Sequence, residues 1–244
     1  MSLIRGIRAF LDGGRAARAP GLARYTWLPV LVSLVIIVGG LILAFGYIGE
    51  LSTWLSGLLP EWLGFVSAIL TPLLYLLGFL AGAWLFGFLA VVIASPFLGD
   101  LSIAVERAEF HSGPEQPPSL WQGTVAALGR EVRKLGYHLP RLVAVFVITL
   151  IPVVNLAAPV VWLAFGAWTL AVQFCDYPNE NRGRPFRDTV ALLKRHRGAA
   201  LGYGVCATLA LAIPLVNFLL IPVAVAGGTI LWRRLELEER ATDG

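Results

Sequence analysis

A chain of 244 residues has room for one or two soluble domains, yet 57% of this one is hydrophobic and only 14% charged. A soluble globular domain carries about 25% charged residues, so composition speaks against that class. The formal net charge is +4 and there are two cysteines, Cys175 and Cys206. This is no disulfide framework, and in so apolar a chain a basic excess points to anionic lipid rather than to nucleic acid.

Residues 1–24 come first. Leu3, Ile4, Ile7, Phe10 and Leu11 follow helical spacing, with Arg5, Arg8, Arg15 and Arg18 elsewhere on the wheel. That pattern predicts a helix lying in the headgroup region. Tyr25 to Gly49 and Trp62 to Gly99 then contain no Asp, Glu, Lys or Arg. Each exceeds the roughly 20 residues a helix needs to cross the hydrocarbon core. Residues 25–99 are therefore expected to hold two spanning helices, and Tyr25 opens a stretch too long for a cleavable signal peptide. Gly78 and Gly82 make a weak GxxxG match. Residues 100–141 form a polar segment with a loop from His111 to Pro118. A second amphipathic helix follows, patterned by Leu120, Trp121, Val125, Leu128, Val132 and Leu135.

Leu142 to Cys175 and Gly198 to Trp232 are also free of charged residues. Basic residues number five in 1–24, five in 100–141, six in 176–197 and three in 233–244, and none lies between Glu50 and Glu61. Positive charge stays in the cytoplasm, so only the Glu50–Glu61 loop should face the other side. Stretches 142–175 and 198–232 must then enter and leave on one side. Each is interrupted by a related pentapeptide, Ile151-Pro152-Val153-Val154-Asn155 and Ile213-Pro214-Leu215-Val216-Asn217. Proline breaks a helix and Asn is a good N-cap for the next. Two helical hairpins are expected. Their rising arms, Leu142–Ile151 and Gly202–Ile213, reach only about 15–18 Å, roughly half the core. Tilted full crossings remain open. Pro159 and Pro222, then Trp168 and Trp232, extend the repeat. Such repeats mark transporters, although broken helices also serve plain packing. Residues 176–197 read as a cytoplasmic segment and 233–244 as a tail.

The motifs for chemistry are sparse. No P-loop pattern occurs, His111, His138 and His196 are scattered, and no nucleophile elbow is present. The expectation is a non-enzyme with no cofactor and no metal site. Gly21, Leu22 and Arg24 precede the first apolar helix, whose first-turn N–H groups favour an anion. Arg24 is then either a ligand or a snorkelling anchor. Asp100, Glu106, Arg107 and Glu109 either line a mouth or form a solvated face. Arg130, Glu131, Arg133, Lys134 and Arg141 either attract anions or hold headgroups. Asn155 and Asn217 either touch a permeating ion or cap helices.

Together these motifs resemble the CysZ family of bacterial sulfate permeases. The likeness runs from about Gly21 to Trp232. It rests on Pro20-Gly21-Leu22-Ala23-Arg24-Tyr25 with Leu28-Pro29, on Ser95-Pro96-Phe97 with Gly99 and Glu106, and on Tyr137-His138-Leu139-Pro140-Arg141. Gln173-Phe174-Cys175-Asp176-Tyr177-Pro178 with Asn181 and Pro185-Phe186, and the stretch from Ile213 to Val225, complete it. The resemblance implies sulfate uptake across a bacterial inner membrane for cysteine synthesis, by a multi-pass, all-α homo-oligomer in the lipid bilayer. It also implies two long spanning helices with two partly inserted hairpins. Its oxyanion motif maps onto Gly21, Leu22 and Arg24, with Ala23 where relatives often carry Arg. Glu106 maps as well, and Arg107 is offset by one residue. Channel and ion-coupled carrier both fit, and a non-transporting membrane scaffold is the alternative.

Overall fold

The computed structural model describes the backbone of residues 2–58, 64–114, 120–213 and 216–243. Side chains are described there except at 26, 29–30, 33, 64, 67, 83–96, 120–128, 154, 216–219 and 243. Every regular element among these residues is a helix: α1 (Ser2–Ala16), α2 (Ala23–Gly57), α3 (Gly64–Phe110), α4 (Leu120–Thr149), a 3-10 turn (Val154–Ala157), α5 (Ala158–Cys175), α6 (Tyr177–Glu180), α7 (Phe186–Arg195), α8 (Arg197–Leu211) and α9 (Val216–Asp243). The chain divides into two compact units, one of Met1–Thr26 with Pro96–Gly244 and one of Trp27–Ser95.

The smaller unit pairs the body of α2 with the first part of α3. Phe45 stacks near Tyr75 and Phe79, with ring centroids 5.9 and 6.3 Å apart. Ser52 and Thr71 share a hydrogen bond of 2.8 Å. A Cβ on Gly78 would collide with the Ile48 side chain, so the glycine of the GxxxG pattern does allow close approach. The outer surface is apolar, with Leu34, Val35, Val38, Ile42 and Leu43 exposed. By length and composition Leu34–Gly57 can cross a membrane, as can Asn155–Glu180.

The larger unit is held by small residues. Helix α1 buries Gly6, Ala9, Gly13 and Ala16, a single face at helical spacing. A Cβ on Gly6 would strike the Ala199 carbonyl of α8, and one on Gly13 would strike the Gly227 backbone of α9. Gly202 meets Leu3 in the same way, Gly204 meets Ala167, and Gly228 meets Phe174. Helix α1 is therefore docked onto the α8–α9 pair. Of the apolar stripe read as lipid-facing, Leu3, Ile4, Ile7 and Leu11 do point outward. Phe10 is the exception. It turns in and meets Tyr203 edge to face at 5.8 Å.

Several segments end elsewhere than the charge pattern suggests. Helix α4 continues through Pro140, so the amphipathic helix and the first rising arm are one element. The turn after it comes at Leu150–Val153, with the Asn155 N–H bonded to the Ile151 carbonyl at 2.9 Å. Asn155 is exposed, and neither the 3-10 turn nor α5 has a side-chain cap. Pro159 starts α5, where its missing N–H costs nothing. Pro222 lies inside α9. The second turn holds Ala212 and Ile213, while Pro214 and Leu215 fall outside the described residues. The tail expected at 233–244 is the continuation of α9. Ion pairs stabilise that charged end: Glu238 with Arg5 at 2.8 Å, and Asp12 with Arg234 at 2.9 Å, tie α9 to α1.

Overpacking a tight contact costs about 1–3 kcal/mol, and more where backbone must move. Gly204→Val should therefore lower the thermal midpoint of the detergent-solubilised protein by several degrees. Gly14→Ala meets only Val223 Cγ1, at 3.7 Å. It should hold or raise the midpoint, since Ala gains up to about 1 kcal/mol of helix propensity over Gly.

Candidate oxyanion site and the buried ionic network

Helix α1 ends at Ala16 and the chain turns through Ala17–Leu22 into α2. Gly21 makes the turn possible: its φ is +91°, a conformation that side chains other than glycine rarely adopt. Leu22 is buried, which pins the turn to the core beside Ala16 and Ala17. Its N–H is not free, because it donates to the Ala19 carbonyl at 3.0 Å. Ala23 N–H reaches the same oxygen at 3.3 Å, and Tyr25 N–H reaches the Leu22 carbonyl at 3.0 Å. The expectation that Leu22 supplies an open backbone donor is thereby corrected. The N–H groups of Gly21 and Arg24 have no backbone acceptor among the described residues. The exposed Arg24 guanidinium lies over the Tyr25 ring, 4.7 Å from its centroid, and Nη2 donates to the phenol oxygen at 2.9 Å.

Glu106 and Arg130 sit elsewhere, in two ionic centres joined by the loop that links α5 to α7. Asp176 is fully buried and closes α5. It accepts two hydrogen bonds of 2.6 Å from Arg130 and one of 2.7 Å from Thr189, with Lys134 3.4 Å away. Arg130 also donates to the Arg184 carbonyl at 2.7 Å. A buried carboxylate is tolerable only when saturated in this way. Helix α4 is consequently turned so that Arg130 and Lys134 face inward, while Arg133 and Arg141 stay exposed. Arg130 and Lys134 are buried, while Val132, Leu135, Leu139 and Phe146 are exposed. Of the amphipathic pattern, Val132 and Leu135 point outward, Arg130 and Lys134 point to the core, and the side chains of Leu120, Trp121, Val125 and Leu128 lie outside the described residues.

Glu106, also fully buried, is held by the Arg182 fork and by Arg233 Nε at 3.5 Å. Arg233 continues to Ser112 at 3.1 Å and to Glu236. Arg184 reaches Glu236 at 2.6 Å, and Arg240 reaches the same carboxylate at 2.9 Å. Trp232 lies beneath Arg182 and Arg184, at 5.1 and 5.8 Å. Trp168 donates instead to the Tyr137 hydroxyl at 3.1 Å, so the two tryptophans of the sequence repeat have different roles.

Among the described residues expected along an ion pathway, Glu106 and Arg130 join this network. Arg107, Arg133 and Asn155 are exposed and apart from it. The side chain of Asn217 lies outside the described residues. Asp176, Arg182, Arg184, Thr189, Arg233 and Glu236 were not foreseen. The one legible signal was Asp176 itself, an acid directly after a long uncharged run, which must find a cation. Among the described residues no group of three or more His, Cys, Asp or Glu side chains is placed to hold a metal ion.

The family model described as sulfate transporter CysZ/etoposide-induced protein 2.4 matches residues 9–222. The sulfate transporter CysZ of Pseudomonas fluorescens strain Pf0-1 is 39% identical over 240 residues, covering 95% of this chain and 94% of the relative. That of Pseudomonas syringae pv. tomato is 37% identical over 247 residues, covering 98% and 94%. That of Vibrio cholerae serotype O1 strain M66-2 is 37% identical over 233 residues, covering 93% and 92%.

Removing one partner of a buried ion pair costs about 3–5 kcal/mol. Asp176→Asn should accordingly unfold the larger unit at markedly lower temperature, read by thermal denaturation in detergent. The acid limb is set in part by Glu236. Burial pushes its carboxyl up, but hydrogen bonds from Arg184 and Arg233 outweigh that and hold it below the ordinary range. With a depressed folded-state value, its contribution is complete above the unfolded value near 4.3 and is lost as pH falls through the folded value. Midpoints recorded from about pH 6 to about pH 3 should fall less steeply for Glu236→Gln than for the wild type.

Proposed function

Because the chain belongs to the sulfate transporter CysZ/etoposide-induced protein 2.4 family, we propose that it carries sulfate across a bacterial inner membrane to supply cysteine synthesis. The observation that carries this reading is the likeness to relatives named sulfate transporter over more than nine-tenths of both chains. In this reading α2 and the first part of α3 cross the bilayer. The α4–α5 and α8–α9 hairpins enter from the cytoplasmic side, with their apolar faces toward lipid. Hairpin turns at membrane depth need protein or a water-filled cavity around them, which favours a homo-oligomer. Transport runs on the sulfate gradient or a coupled ion, since no nucleotide-binding motif is present in the sequence.

Arg24 and the Gly21 turn form the sulfate-binding entrance. The start of α2 contributes the positive end of its dipole and the N–H groups of Gly21 and Arg24. Arg24 adds a fixed charge and a planar fork suited to an oxyanion. Its charge is available because no carboxylate lies within ion-pair distance of it among the described residues. Glu106 and Arg130 act as struts that hold the hairpins in place around the pathway.

Two experiments test the reading. Liposomes holding only the purified protein should show sulfate flux, and flux no greater than in empty liposomes would leave the scaffold alternative. Arg24→Ala should lower sulfate affinity roughly ten- to a hundredfold, the worth of a charge-assisted hydrogen bond of about 1.5–3 kcal/mol. Arg24→Lys should recover part of it, and wild-type affinity in a folded Arg24→Ala protein would remove Arg24 from the site. For topology, a cysteine at Arg187 should resist a membrane-impermeant reagent in right-side-out vesicles, and labelling there would overturn the orientation.

A further inference from the structure

Neighbouring residues on a helix point about 100° apart and do not normally touch through their side chains. Arg24 and Tyr25 do. The guanidinium folds back over the ring of the next residue and is hydrogen-bonded to its hydroxyl at 2.9 Å. Tyr25 is itself half-buried and packs against the hydrophobic core of the larger unit. An exposed arginine is thus fastened to an anchored platform.

The chemistry of the platform matters. Arg5, Arg130, Arg182, Arg184, Arg233 and Arg240 each have a carboxylate partner that offsets their charge. Arg24 is held by a neutral phenol, so it is oriented without being neutralised. The phenol oxygen accepts one hydrogen bond from Nη2, and its own O–H has no acceptor among the described residues.

We propose that Tyr25 is the positioning residue of the oxyanion site and its second side-chain donor. The ring and hydroxyl hold the Arg24 fork at the start of α2, and the phenolic O–H donates to an oxygen of the bound anion. This rests on Arg24 being the sulfate ligand. Preorganising the fork spares the rotamer entropy that binding would otherwise cost. It also offers a second donor where Ala23 supplies none.

The test uses the full chain in nanodiscs with sulfate as the probe. Tyr25→Phe keeps the ring and removes the hydroxyl, and should weaken sulfate binding about three- to tenfold, the range expected for one hydrogen bond. The thermal midpoint should not change. Tyr25→Leu, which loses the platform as well, should weaken it further. In an Arg24→Ala background Tyr25→Phe should cost less than it does in the wild type, because the fork it orients is gone. The nitrogen-15 resonances of the Arg24 guanidinium give a readout that a purely structural role would not move. Rotation of the fork should be slow in the wild type and fast in Tyr25→Phe. If Arg24→Ala weakens binding while a folded Tyr25→Phe binds like the wild type, the role of Tyr25 is refuted and Arg24 keeps its own. If Arg24→Ala binds like the wild type, both fall. An undiminished cost of Tyr25→Phe in the Arg24→Ala background overturns the positioning role. Should Tyr25→Phe fail to fold, fast guanidinium rotation in the wild type overturns the proposal and slow rotation supports it.

Discussion

The larger unit depends on the buried carboxylate of Asp176. A charge removed from water must be matched by hydrogen bonds and opposite charge, or it destabilises the fold by several kcal/mol. Here the matching groups come from two helices: Arg130 and Lys134 on α4, and Thr189 on α7, meet Asp176 at the end of α5. Those requirements orient α4 about its axis. Once Arg130 and Lys134 must face inward, Val132, Leu135, Leu139 and Phe146 have only the outside left. A helix that buries two cations and leaves apolar side chains outside suits contact with lipid. Glu106 repeats the logic with Arg182 and Arg233, and thereby joins the end of α3 to α9.

Between the ionic centres the helices meet through glycine and alanine. Lipid tails are as apolar as leucine, so hydrophobicity gives helices within a bilayer little reason to associate. Close backbone approach does, through dispersion contacts that a larger residue would forbid. The Gly6, Gly13, Gly202, Gly204, Gly227 and Gly228 contacts lock α1, α5, α8 and α9 into one body. Helix α1 is then an integral layer of the larger unit with one apolar face left over.

Against this background of neutralised cations, the Arg24 position differs in kind. The network arginines are matched by carboxylates and most are buried, as a scaffold requires. Arg24 is exposed, oriented by a phenol, and placed where a helix begins. In the proposed role, such a group would meet an anion without first giving up a carboxylate partner. Ion pairing elsewhere in the unit provides a rigid base, while Arg24 keeps its charge free of a carboxylate partner among the described residues.

The sequence by itself determined the helical class, the apolar stretches and the turn at Ile151–Val153, because these depend on local composition. An unbroken charge-free run and a Pro-containing pentapeptide keep their meaning whatever surrounds them. It also marked Gly21, Leu22 and Arg24 as a unit, since those residues are adjacent along the chain. Tertiary structure decided the rest. The charges up to Arg141 and after Trp232 read locally as segment boundaries, yet α4 and α9 run across them, since packing and ion pairs outweigh propensity. Asn155 reads as a cap and is not one, because the turn satisfies its donors through the backbone. The partners of Glu106 and Asp176 lie far away along the chain, and no local pattern encodes which distant cation a buried acid will meet. Only the folded chain, which must neutralise each buried charge, makes that choice.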